Sequence, residues 1–158
     1  MILAVFSDSH GNSQNMIDAV ALEKPDFVIF LGDGVRDAEA LARAYPTLPV
    51  RILRGNCDLG AFTVDDSALA EYCGVRVFAA HGHNHNVKFG MDSFATSVLC
   101  SGAQLGLYGH THRPLWQEFR GIQFMNPGSI GSSSSPTYGV VSFENGSFNC
   151  SIKDLPRD

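Results

Sequence analysis

No stretch of this chain stays apolar for the roughly 18 residues that a membrane-spanning helix needs, so no membrane role is expected. The N-terminal run "MILAVF" has no basic region before it and meets Asp8 too soon for a signal peptide. The expected location is the cytoplasm. Basic residues are few: Lys and Arg total 11 against 16 Asp and Glu, a formal net charge of -5. That balance argues against an extended nucleic-acid surface, which needs a basic footprint, but leaves a small nucleotide held by metal ions open. The four cysteines, Cys57, Cys73, Cys100 and Cys150, form no CxxC pair. A zinc ribbon or redox motif is therefore not indicated, and the last three read as buried or half-buried free thiols. None of them is followed by Arg at the sixth position, which argues against a cysteine-dependent phosphatase. GxxxxGK[ST], HExxH and GxSxG are also missing.

What is present suits one compact α/β domain over residues 1–158. "ILAVFSD" and "DFVIFLGD" are short apolar runs that predict buried strands. Asn12 or Ser13 caps a predicted helix running to about Lys24, with Met16, Ile17 and Val20 inward. Ala38, Leu41, Ala42 and Tyr45 fall at i, i+3, i+4 and i+7, the spacing of an amphipathic helix. "VRILRGN" is a third strand, and this βαβαβ start predicts a parallel sheet. The second half predicts strands at "VRVFAA" and "AQLGLY", a weaker helix over 91–101 with Met91, Phe94 and Val98 on one face, and short strands around 115–119, 122–126, 138–144 and 147–153. "ENGS" marks a hairpin. The second half is expected to be antiparallel. Residues 59–72 and 83–92 are expected to be loops that set substrate choice, and "SSSSP" at 132–136 a flexible loop without chemistry.

The polar residues are not spread evenly. "DSHG" (8–11), "GDG" (32–34), "GNCD" (55–58), "HGH" (81–83) and "GHTH" (109–112) all follow apolar strands. Ligands in open α/β sheets bind beyond the carboxyl ends of strands, so five such ends predict one convergent site. Asp8 and His10 are two apart, as are His110 and His112; in extended backbone each pair would face one side. Taken singly the clusters have ordinary explanations as turns or helix caps. Together they supply seven candidate ligands: Asp8, His10, Asp33, Asn56, His81, His110 and His112. That is too many for one tetrahedral zinc and suits two metals with a bridging carboxylate. Imidazole with carboxylate favours Mn, Fe, Zn or Co over Ca. His85 has no partner in this scheme and reads as a solvated loop residue.

The order D-x-H, GD, GN, H, GHxH resembles the calcineurin-like metallophosphoesterases, and "GNCD" with "NPGS" (126–129) resembles their small prokaryotic phosphodiesterase subfamily. The resemblance spans Asp8 to about Ser129. It implies an αββα sandwich of two mixed β-sheets flanked by helices, related in fold to the retromer scaffold subunit. By position it implies Asp8, His10 and His112 on a first divalent metal, Asn56, His81 and His110 on a second, and Asp33 bridging. Manganese is the expected ion, with iron, zinc, nickel or cobalt as alternatives. The implied reaction is in-line hydrolysis of a phosphate ester by a metal-bridging hydroxide, on a small phosphodiester or nucleotide-like substrate. Many members carry His after the Asn, where it protonates the leaving group; this chain has Cys57, a weaker acid at neutral pH. Diesters with activated leaving groups are thus the expected substrates. His83 is expected to take part of the acid role or contact phosphate, and Asp58 to orient the loop. A phosphomonoesterase or pyrophosphatase, or a non-catalytic interaction scaffold, are the competing expectations. Exposed edges or apolar residues such as Phe62 or Trp116 would allow a homo-oligomer.

Overall fold

The first strand, β1 (Ile2–Phe6), sets the layering through its alternation. Leu3 and Val5 enter one buried cluster and Ala4 and Phe6 another, because successive strand side chains point to opposite faces. The same split recurs in β2 (Phe27–Phe30), where Ile29 faces one way and Val28 and Phe30 the other. A strand buried on both faces reads as a continuous apolar run, as here. This computed structural model describes residues 1–157.

Two helices cover the Ala4–Phe6 face. In α1 (Ser13–Glu23), Asn12 Oδ1 accepts from Asn15 N–H at 3.2 Å, and Met16, Ala19 and Val20 are buried. Its end at Lys24 is left-handed, and Pro25 follows. α2 (Val35–Ala44) buries Val35, Ala38 and Leu41. β3 (Val50–Ile52) completes the parallel set, with Val28 opposite Val50.

The second half departs from the expected antiparallel layout. After β5 (Val75–Ala80), the crossover through α3 (Asp92–Cys100) returns β6 (Leu105–Leu107) parallel to β5. β7 (Leu115–Phe119) then turns to the sheet edge, and β8 (Ile122–Asn126) inserts parallel to β6. β9 (Thr137–Glu144) and β10 (Ser147–Asp154) leave this sheet altogether, and β9 pairs antiparallel with β1. Residues 59–72 also differ from the expected loop: Ser67–Tyr72 is an edge strand, β4, antiparallel to β5. Cys73 (φ 49°) and Gly74 (φ 81°) make its hairpin turn, the left-handed pair that two-residue hairpins require.

Two mixed five-stranded sheets result, ordered β10-β9-β1-β2-β3 and β4-β5-β6-β8-β7. Leu3, Leu31, Val77, Leu107 and Met125 pack between them. Phe94 and Val98 of α3 pack on Phe124 over the outer face of the second sheet. The order is helix, sheet, sheet, helix, an α/β sandwich. Phe94 is fully buried against the Phe78, Tyr108 and Phe124 rings; truncating such a side chain to Ala costs roughly 3–5 kcal/mol. Cys150 is buried as expected, but Cys73 and Cys100 are exposed, one in a turn and one at a helix end. Among the described residues no helix is long and apolar enough to cross a membrane.

Candidate metal centre

All five polar clusters leave the carboxyl ends of β1, β2, β3, β5 and β6 and meet across both sheets. Asp8, His10, Asp33, His110 and His112 have φ between 44° and 68°. Side chains rarely adopt this left-handed backbone, which costs about 1–3 kcal/mol per residue and concentrates at functional sites. The extended geometry expected for the two-apart pairs is therefore absent: tight turns aim these side chains. The turns also separate the two GHTH histidines, since His112 joins Asp8 and His10 while His110 joins Asp33 and His81. Within each trio the donor atoms lie within 4.8 Å of one another.

Asp8 is buried. Its Oδ2 accepts from Ser7 Oγ at 2.6 Å and from His110 N–H at 3.0 Å. Its Oδ1 is buried without a hydrogen-bond partner and faces His112 Nε2 at 3.2 Å and His10 Nε2 at 3.8 Å. His10 Nε2 and His112 Nε2 are themselves 3.2 Å apart. Two imidazole nitrogens this close, beside an orphaned carboxylate oxygen, call for a proton or a cation between them. Asp33 divides its oxygens similarly. Oδ1 accepts Cys57 N–H at 2.8 Å, while Oδ2 lies 3.3 Å from His81 Nε2 of its own trio and 3.9 Å from His10 Nε2 of the other. His81 Nδ1 donates to the Leu31 carbonyl at 2.9 Å, which turns the Nε2 lone pair toward the site, 3.1 Å from Asn56 Oδ1. The donor set of carboxylate, imidazole and amide oxygen fits two transition-metal ions.

Electrostatics follow this packing. Burial opposes charge on Asp33, but the His81 hydrogen bond and charge, with Cys57 N–H, outweigh it and hold the carboxyl below its usual range. Burial likewise opposes protonation of His81, and Asp33 and Asp8 more than offset it, raising its pKa. His110 goes the other way: burial, then the charges of His81 and Lys88, lower it to about 4. It is a neutral ring with a free lone pair at neutral pH. Burial and then the Asp33, Asp58 and Asp8 charges raise the Cys57 thiol, so it stays protonated and is no thiolate nucleophile.

Asp58 is a positioning residue. Its Oδ1 accepts from Gly34 and Val35 N–H (2.8 and 2.9 Å) and its Oδ2 from Asp33 and Gly55 N–H (2.7 and 2.8 Å). It thereby caps α2, whose own Gly34 offers no side chain, and ties the GDG turn to the GNCD turn. The two turns touch so closely that a Cβ on Gly32 would meet Gly55 N at 2.5 Å. His83 sits beside the second trio, its ring centroid 5.4 Å from His81 and 6.2 Å from His110, with Nδ1 buried and unpartnered. Burial and the His81 charge lower its pKa. His85 is not the solvated loop residue expected: it packs edge-on against Phe78 and Phe94 and bonds Ser97 Oγ at 3.1 Å through Nε2.

Four supporting residues escaped sequence reasoning. Ser7 orients Asp8, as above. Asp37 Oδ2 accepts from Ser9 Oγ (2.6 Å) and Gly11 N–H (2.8 Å), fixing the DSHG turn. Asn126 Nδ2 donates to the Gly109 carbonyl (3.0 Å) and Thr111 Oγ1 (2.9 Å), and Ser129 Oγ donates to the Asp8 carbonyl (2.7 Å). The signal for these last two was "NPGS" itself: it straps the DSHG and GHTH turns together. Two clefts lie at or beside the centre. One of about 690 Å³ opens at His10, Asp33 and Cys57; another of about 450 Å³ is lined by Thr111, the residue between His110 and His112 in the chain, but by none of the seven candidate ligands.

A model of the calcineurin-like phosphoesterase superfamily domain matches residues 1–146. Among curated proteins, "Probable metallophosphoesterase YsnB" of Bacillus subtilis (strain 168) is 27% identical over 151 residues, 92% of this chain and 86% of that protein. A solved structure of a conserved protein from Streptococcus pneumoniae TIGR4, described as a predicted phosphoesterase, superposes with TM-score 0.82 at 26% identity, covering 98% of this chain and 89% of that one. Two more share the fold at lower identity. A novel archaeal phosphodiesterase has TM-score 0.73 and 21% identity over 97% of this chain and all (100%) of its own. A Vps29 variant from Entamoeba histolytica has TM-score 0.77 and 20% identity over 99% and 100% of the two chains.

Proposed function

Because the chain belongs to the calcineurin-like phosphoesterase superfamily, we propose that it is a two-metal phosphodiesterase acting in the cytoplasm on a small, nucleotide-like diester. The observation that carries this reading is the pair of donor trios, one containing Asp33 with its Oδ2 3.9 Å from His10 of the other, with Asp8 Oδ1 buried and unpartnered beside them. Asp8, His10 and His112 would hold one ion, Asn56, His81 and His110 the other, and Asp33 both. When bound, two divalent cations supply an acidified water and neutralise charge on phosphoryl oxygens. Manganese is the proposed ion.

The chain's own residues restrict the substrate. Cys57 lines the larger cleft where a leaving group would depart. Its raised pKa makes it a weak proton donor at neutral pH, which favours esters whose leaving group departs without help. His83, uncharged at neutral pH because its pKa is lowered, is suited to donating one hydrogen bond to a phosphoryl oxygen rather than a proton to the leaving group. The likeness to the archaeal phosphodiesterase supports a diester. The Vps29 likeness supports the competing scaffold reading, but all seven candidate ligand positions are filled and converge here, which favours an enzyme.

Hydrolysis of bis-p-nitrophenyl phosphate and p-nitrophenyl phosphate, with and without added Mn, tests the proposal. Mn-dependent turnover that is faster on the diester is expected. Absence of metal-dependent turnover on either compound would sink the enzyme reading, and faster monoester cleavage would replace the diesterase with a monoesterase.

A further inference from the structure

The two clefts differ in charge although they lie close together in the fold, one at the candidate ligands and one beginning beside them at Thr111. The larger is lined by Asp33, Asp37, Glu39 and Asp58 against a single Arg36. The smaller has Lys88 and Arg113 and no acidic residue. In a chain with a formal net charge of -5, two cations at one cleft without a carboxylate are a local reversal of sign. Among the described residues Lys88 and Arg113, like Lys24, Arg36, Arg43 and Arg76 and unlike Arg51, Arg54, Arg120 and Lys153, are in no ion pair; what distinguishes them is that they share one cleft. Lys88 shares the lining of this cleft with Tyr108 and Thr111, which bracket Gly109 and His110 in the chain. Thr111 adds a third donor: its Oγ1 already accepts from Asn126 Nδ2 and Arg113 N–H, leaving the hydroxyl proton to be given to a ligand. Val87, Met91 and Leu115 supply apolar walls.

A phosphodiester held at the metals would project two ester arms in different directions; the larger cleft opens at the candidate ligands His10 and Asp33, and the smaller begins at Thr111, one residue from His110 and His112, so each is placed to take one arm. We propose that the smaller cleft binds a second phosphate carried on one arm of the substrate, with Lys88, Arg113 and Thr111 as its donors. This rests on the phosphodiesterase reading. The preferred substrate class is then a nucleotide-like diester bearing a further phosphate, not a neutral-armed diester. Charge-assisted bonds from Arg and Lys to phosphate are the strong class of hydrogen bond, and two of them in a half-enclosed cleft give a preference of roughly tenfold or more.

Calorimetry on the Mn-loaded protein tests this with thymidine 3′,5′-bisphosphate and thymidine 5′-monophosphate as probes. The bisphosphate should bind at least roughly tenfold more tightly, and in a Lys88→Gln/Arg113→Gln variant the ratio should fall toward one. Arg43→Gln, a cation of the same sign on the outer turn of α2, should keep the parental ratio. Equal affinities in the parent protein overturn the proposal, as does an equal loss in Arg43→Gln, which would assign the effect to the general field. Turnover of bis-p-nitrophenyl phosphate by the parent protein is read separately. Turnover without a bisphosphate preference rejects the subsite alone, and no turnover rejects the phosphodiesterase reading.

Discussion

Replacing Asp58 by Asn tests whether one carboxylate organises the centre. Asn keeps a single acceptor oxygen, so it can serve the Gly34 and Val35 N–H groups or those of Asp33 and Gly55, but not both pairs. The other pair would face an NH2 group. Hydrogen bonds to a charged acceptor contribute about 1.5–3 kcal/mol each, and loss of the favourable charge at the α2 N-terminus adds about 0.5 kcal/mol. Asp58 is only half-buried, so water can recover part of this. The expected cost is about 2–4 kcal/mol, a fall of roughly 6–12 °C in Tm at this size. Urea unfolding of the metal-free protein reads the stability. Mn titration reads the site: Asp33, freed from its backbone anchor, should lose roughly tenfold or more in affinity. Asp66→Asn, which breaks an exposed pair with Arg54, should cost less than about 1 kcal/mol. If Asp58→Asn unfolds within about 0.5 kcal/mol of the parent, an ordinary surface-substitution effect, Asp58 does not organise the two turns.

Asp33→Ala should weaken Mn binding by more than roughly 100-fold and abolish turnover, because its Oδ2 faces both trios; full activity in that variant would mean the site is wrongly assigned. Cys57→His should raise cleavage of alkyl diesters relative to aryl diesters by roughly tenfold or more, since a general acid matters most for poor leaving groups, and an unchanged ratio would remove Cys57 from the account. Glu23 accepts from Lys153 and Tyr138; burial raises its pKa, but these partners outweigh it and the net shift is downward. A depressed folded-state pKa stabilises the fold above the unfolded value and loses that contribution as pH falls through the folded one. Denaturation of Glu23→Gln should therefore show a deficit of about 1 kcal/mol at pH 7 that shrinks on acidification below the ordinary glutamate range, and a pH-independent deficit would contradict it.

The parallel part of the first sheet, β1–β2–β3, was legible because β1 and β2 are continuous apolar runs separated by predicted helices, and Asn145–Gly146 announced the last hairpin; that this hairpin joins β1 was not. Nor was β4. Its alternation runs through alanines, Ala68 and Ala70, whose burial contrast with Leu69 and Glu71 is weak, and its turn is the uncommon Cys73–Gly74. The parallel neighbours β5, β6 and β8 depend on a crossover and on β7 stepping outside, which no local pattern encodes. In the centre, residue types and order were enough to name the ligand candidates. Their aim was not, because Asp8 and His10 were expected to be extended and are left-handed. Asp58 was expected to orient its own loop; that it also anchors the GDG turn was not legible, because its four partners are backbone N–H groups, invisible to any side-chain pattern.

The strap from Ser129 to Asp8 also carries a consequence for synthesis. Asp8 leaves the ribosome well before its partners: its turn is fixed by His110, 102 residues later, and by Ser129, 121 residues later, while β1 waits for β9 as its second neighbour. Contacts this distant in sequence form late. A nascent chain that has not yet reached Ser129 therefore has no finished centre, and any metal captured there would follow synthesis of that segment, so that filling the site would check that the fold has closed.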